Sequence, residues 1–109
     1  MIITISKDFS ATPGARYKIE GKYSGEQFRD EMLEPKYLQA KQSGEKLQIN
    51  LDGGYGYPTS FLEEAFGGLA RKYDAKSVLN ILEFKSEDEP ALVNEIESYI
   101  KNCGKERTK

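Results

Sequence analysis

The sequence predicts an α/β domain, a small mixed sheet of about four strands packed against about three helices. Lys46-Leu47-Gln48-Ile49-Asn50-Leu51-Asp52 alternates polar and apolar residues, the pattern of a strand with one buried face. Shortly after it, Leu62, Ala65, Phe66, Leu69, Ala70 and Tyr73 recur at the spacing of an apolar helical stripe. The run Ser77 to Phe84 is then mostly apolar and has the length of a buried strand. Alternation of this kind implies right-handed crossovers and a partly parallel sheet with helices packed on it.

The remaining elements follow in chain order. Ile2, Ile3 and Ile5 form a short first strand, and Thr12-Pro13-Gly14 signals a turn. Arg16-Tyr17-Lys18-Ile19-Glu20 alternates and predicts a second, half-exposed strand that Gly21 ends. Ser24 opens a helix, since Ser24 and Gln27 have capping-box spacing, with Phe28, Met32 and Leu33 on its buried face. Pro35 is expected to kink or end it near Glu34, leaving Tyr37 and Leu38 in a second short piece before a loop at 42–45. Gly53-Gly54-Tyr55-Gly56-Tyr57-Pro58 is a loop whose glycines permit positive φ. A last helix runs from about Asp88 to Cys103, with Pro90 in its first turn and Leu92, Ile96, Tyr99 and Cys103 as its core stripe. Gly104 is placed to stop it, so residues 1–104 read as one domain and 105–109 as a disordered tail. The expected order is β, β, α, β, α, β, α.

Composition narrows the function. A chain of 109 residues supports one hydrophobic core. Its charges nearly cancel, 16 basic against 18 acidic for a net −2, and its pI is near 5.3, so nothing draws it broadly to nucleic acid or anionic lipid. The single cysteine, Cys103, permits no intrachain disulfide and reads as a small buried hydrophobe. The N-terminal residues lack the pattern of a secretory leader, and no stretch reaches the roughly 18–20 apolar residues of a membrane span. The expectation is a soluble cytoplasmic chain with no membrane or nucleic-acid partner, its oligomeric state open. The absence of histidine removes Ser–His and Cys–His nucleophile pairs and imidazole metal sites. No coherent set of nucleophile, base and oxyanion donors can be named. The chain is therefore expected to be no enzyme and to hold no metal or cofactor.

The segment from Asn50 to Glu64 carries the most chemistry. Thr59 and Ser60 place two hydroxyls where a loop enters a helix, where free N–H groups and the positive helix end favour an anion. Ser60 and Glu63 form a second capping-box pair, and capping is the ordinary use of Thr59 and Ser60; partner contact or modification is the sharper one. Gly67-Gly68 inside a helix costs about 1 kcal/mol per glycine relative to alanine, so close packing against the sheet, another backbone or a partner is expected. Glu63 and Glu64 point about 100° apart, which argues against an acid–base pair; attraction to the helix start accounts for them. Arg29 and Arg71 are expected on solvated faces, though either can pair with Glu64 or Asp52. Arg16 can reach an anion but stands in no P-loop. Tyr55 and Tyr57 flank Gly56 as packing residues or as aromatic anchors of a binding surface.

Ser24-Gly25-Glu26, Phe28-Arg29, Leu33, Asp52-Gly53 and above all the run SFLEEAFGGL from Ser60 to Leu69 resemble the signature of the bacterial and phage STAS-like domain family. The resemblance covers roughly residues 10–75. It implies the STAS fold of anti-sigma-factor antagonists, a small mixed sheet backed by helices. In those proteins a strand ends in an Asp-Ser-x-Gly loop at a helix start, and a partner kinase phosphorylates the serine to control binding. By that analogy Thr59 falls nearest the phosphorylated position and Ser60 next to it. Pro58 stands in place of the acidic residue, Phe61 in place of the glycine, and Glu63 and Glu64 are expected to repel a phosphate. The resemblance implies a regulatory interaction module that binds a histidine-kinase-like ATPase or serine kinase through residues 53–64. Its candidate contacts are Arg16, Asp52, Gly53, Tyr55, Tyr57, Thr59, Ser60, Glu63, Glu64 and Arg71. The reading from another class is a small-molecule or nucleotide-binding module that uses the same glycine-rich loop and helix start as an anion site.

Overall fold

Three short parallel strands carry the helices. The structure, a computed structural model, describes residues 1–103. Strand β1 (Ile2–Thr4) runs into a short helix α1 (Ile5–Asp8). Helix α2 spans residues 25–43 in three continuous parts: α-helix over Gly25–Phe28, a π-helical turn over Arg29–Leu33, and α-helix again over Glu34–Ser43. After β2 (Leu47–Asn50), helix α3 spans 59–72 with the same construction, α-helix over Thr59–Leu62, a π-turn over Glu63–Gly67 and α-helix over Gly68–Lys72. Helix α4 (Ala75–Ile81), strand β3 (Leu82–Lys85) and helix α5 (Ala91–Lys101) complete the order.

The sheet order is β1-β2-β3 and both pairings are parallel. Parallel neighbours need long crossovers, which α2 and the α3–α4 pair supply. The register sets Ile3, Ile49 and Phe84 abreast, with Leu47 beside Leu82. Because strand side chains alternate, these residues share the face that meets the helices, while Ile2, Glu83 and Lys85 look outward and are exposed. Phe9, Phe28, Phe61, Phe66 and Phe84 continue the core upward, each ring centroid within 6.2 Å of at least one other, with Phe28 touching Phe9, Phe61 and Phe66. Helix α2 crosses α3 at Gly25, where a Cβ would lie 2.5 Å from the Phe61 carbonyl oxygen. Among the described residues no helix is long and apolar enough to cross a membrane.

Four strands were expected, and among the described residues three are present. Residues 16–20 form no strand. Their backbone instead runs beside the start of α2, with Gly25 N–H donating to Ala15 and Glu26 N–H to Arg16, and then turns through a 3₁₀ helix at Lys18–Glu20. Ile19, an apolar residue of that expected half-exposed strand, is 94% exposed. The run Ser77 to Phe84 is divided: its first part is α4, and only Leu82 onward is strand. Asp74 caps α4 by accepting from Ser77 N–H at 3.0 Å. The sheet is consequently all parallel where a mixed one was expected. Pro35 does not end α2. The wide π-turn before it puts Pro35 in the first turn of a new α-helical stretch, where its missing N–H costs little. In α5, Ile100 is in the core and Tyr99 is half buried, with its hydroxyl on Glu95; the helix begins at Ala91. Gly104 and the 105–109 tail lie outside the described residues.

Candidate functional site

The loop after β2 is held from below and open above. Asp52 turns back toward the β3–α5 connection, where its carboxylate accepts from the N–H groups of Asp88 and Glu87 at 2.9–3.0 Å. Those donors, Asp88 first, hold the Asp52 carboxyl below its ordinary pKa. Asp88 in turn accepts from Gly53 N–H at 3.3 Å. Gly53 has φ of +92°, and a Cβ there would lie 2.9 Å from Ser6 Oγ, which itself donates to the Asp52 carbonyl. Tyr57 stacks near Phe61 and donates to the Leu51 carbonyl at 2.7 Å; burial, then the charge of Asp52, pushes its pKa up to about 12. Tyr55 has its N–H fixed on the Ala11 carbonyl while its side chain is 89% exposed. Beside it lies a depression of about 200 Å³ whose rim carries Asp88 and Glu89 over Leu51 and Leu92.

Helix α3 starts without the expected cap. Pro58 occupies the cap position in extended conformation and provides no side-chain bond, and Thr59 and Ser60 are the first two helical residues. Ser60 and Glu63 form no capping box, because Glu63 is drawn elsewhere. At the start of α2, by contrast, Ser24 Oγ accepts from Gln27 N–H at 3.0 Å. In the reciprocal bond the Gln27 side chain accepts from the N–H of Tyr23, one residue earlier than the box requires.

Glu63 and Glu64 are buried, and three arginines from distant parts of the chain surround them. Arg16 donates to Glu63 and lies 3.4 Å from Glu64. Arg71 donates to Glu63, lies 3.7 Å from Glu64, and reaches the Cys103 carbonyl at 3.5 Å. Arg29 donates to the Glu64 carboxylate and to its carbonyl, both at 2.7 Å. The expected solvated positions of Arg29 and Arg71 are thus overturned, since each side chain is only 13% exposed. The π-turn adds one residue to the two turns between Glu63 and Arg71, which brings i and i+8 onto one face. Burial alone would raise the Glu63 pKa, but hydrogen bonds from Arg71 and Arg16, then their charges, hold it below the ordinary carboxylate value.

The two helical glycines now have an explanation. A Cβ on Gly67 would lie 2.7 Å from Glu63 Oε2, and one on Gly68 would run into the Arg29 guanidinium. Their space is filled from within the chain. The structure therefore separates the candidate residues into two groups: Gly53, Tyr55, Tyr57, Thr59 and Ser60 lie along the loop and helix start, while Arg16, Arg71, Glu63 and Glu64 form an internal network that Arg29 joins. Asp52 anchors the loop to the β3–α5 connection. Asp88 and Glu89, which the sequence reading left out, line the same surface; their place between a strand end and a helix start was the available signal.

The family model described as a STAS-like domain of unknown function (DUF4325) matches residues 24–92, more than half of the chain, and the chain belongs to that family. The match runs from the cap of α2 to the first turn of α5, and Arg16 lies outside it. No curated protein and no solved structure matches the chain.

Proposed function

We propose that the chain is a regulatory STAS-type module, a binding protein and not a catalyst, that holds a protein partner through the loop and helix start at residues 53–60. The observation that carries this reading is Tyr55. Its ring stands in solvent on a backbone fixed by Ala11, so little order has to be imposed when a partner covers it. Gly56, Pro58 and Thr59 extend the exposed strip, and Ser60 is half exposed. The acidic rim of Asp88 and Glu89 favours a basic partner surface over a nucleotide phosphate. The family resemblance supplies the class of partner, a histidine-kinase-like ATPase or serine kinase.

Phosphorylation of Thr59 or Ser60 fits the same surface. The sequence objection was repulsion from Glu63 and Glu64. Both carboxylates are turned into the arginine network and neutralised there, which leaves the helix start favourable to a phosphate. The test is binding between the purified chain and an ATPase of this class encoded beside it, comparing wild type with Tyr55→Ala, Thr59→Glu and Ser60→Glu. The reading expects wild type to bind and Tyr55→Ala to lose about tenfold or more in affinity. Equal binding by all four proteins, or by none, speaks against it.

A further inference from the structure

The arginine network reaches the surface at a place that none of residues 53–60 lines. Arg29, Glu64, Gly68, Arg71 and Lys72 line a depression there of about 280 Å³. We propose that this depression binds a phosphate-type oxyanion between Arg29, Arg71 and Lys72.

Charge is the first argument. Arg16, Arg29 and Arg71 face Glu63 and Glu64, with Asp30 at the edge of Arg29, so among the described residues the buried pairs hold three positive charges against two negative. The neighbouring pairs, Lys72 with Glu34 at 2.9 Å and Lys18 with Asp30 at 2.9 Å, each balance and leave that excess in place. Asp30 also approaches Arg29 Nε at 3.7 Å. Glu64 faces the depression, but Arg29 at 2.7 Å and Arg71 at 3.7 Å already meet its charge.

Geometry is the second argument. Arg29 donates through Nη1, and among the described residues its Nη2 donates to no acceptor. Both guanidiniums are mostly buried and fixed by Glu63 and Glu64, so their forks are already ordered for a tetrahedral oxyanion. Lys72 is more than half exposed and can swing across the opening. Gly68 keeps a side chain out of the floor, where a Cβ would displace Arg29. A volume of about 280 Å³ lies at the lower limit of sites for drug-sized ligands, roughly 300–1,000 Å³, which suits a phosphate group better than a nucleotide.

The experiment is a titration of the full chain with inorganic phosphate and, separately, with O-phosphoserine, at constant ionic strength, followed by amide chemical shifts. The expected result is saturable shifts centred on Gly68, Arg71 and Lys72. Lys72→Gln, which gives up the Lys72–Glu34 pair but leaves the pairs of Arg29 and Arg71 with Glu63 and Glu64 intact, should weaken binding about tenfold, and Lys76→Gln should leave it unchanged. Tighter binding of one probe then tells whether the group is taken free or as an ester. Shifts that fail to saturate, that spread over surface lysines, or that respond equally to both substitutions would overturn the proposal.

Discussion

Arg29 joins two π-turns through a single residue: its Nη1 lies 2.7 Å from the carbonyl oxygen of Glu64 and 2.7 Å from its Oε2. Arg29 begins the π-turn of α2, and Glu64 sits in that of α3. π-turns inside α-helices often mark functional sites, and here each widens a helix where the other supplies the charge to fill it.

Gly68→Ala tests that packing by the sign of its effect. Alanine is the better helix former by about 1 kcal/mol, so a helix without neighbours would gain. In this chain the added methyl would force Arg29 off Glu64. Urea denaturation should show a net loss of about 1–3 kcal/mol, the usual cost of overpacking. A stabilised variant would mean that Arg29 leaves Glu64 without penalty.

Glu64→Gln should be more damaging, because it leaves buried guanidinium charge with too little compensation. A loss of about 3 kcal/mol is expected. Removing both partners, in Arg29→Gln with Glu64→Gln, should cost clearly less than the two single losses added together. Simple additivity in that double-mutant cycle would deny the pair any direct coupling.

The two helix starts should respond differently to loss of a hydroxyl. Ser24→Ala removes the bond accepted from Gln27 N–H and should cost about 1 kcal/mol. Ser60 makes no cap bond, so Ser60→Ala should stay within about 0.5 kcal/mol of wild type. Equal losses at the two sites would restore the capping role that the sequence suggested for Ser60.

Acid should destabilise the fold through three carboxyls. Glu63, Glu34 and Asp52 all have pKa values held down in the folded chain. For Glu34, burial acts upward but hydrogen bonds from Tyr73 and Lys72 outweigh it. A carboxyl with a depressed folded pKa binds its proton more readily when unfolded. Its stabilisation is therefore present above the ordinary glutamate value of 4.5 and is lost as pH falls through the lower folded value. Denaturation midpoints should hold steady from neutral pH to about 5 and then fall toward about pH 3. A flat profile over that range would contradict the pairings.

Legibility in the sequence followed period and length. The strand around Ile49 and the stripe from Leu62 to Tyr73 were readable because each repeats its period several times. The run Ser77 to Phe84 was ambiguous because a short apolar stretch suits a buried helix as well as a strand; Asp74, three residues before Ser77, was the capping signal that resolves it. The alternation at residues 16–20 misled because no strand lies beside it and Arg16 instead follows its charge to Glu63, 47 residues away. Gly67-Gly68 announced that something fills their space. That Arg29 fills it, from a separation of 35 residues to Glu64, depends on how α2 crosses α3 at Gly25, which no local pattern encodes.

The central claim is that a partner covers the exposed loop around Tyr55 while the arginine network keeps α3 in place. Site-specific photocrosslinking tests it most directly, with a benzophenone side chain placed at position 55, at position 59, or at exposed Glu83 on the sheet as control. The account predicts one protein adduct, the same from positions 55 and 59, and none from 83. Adducts formed equally from 83, or none from 55 and 59 with the partner present, would contradict it.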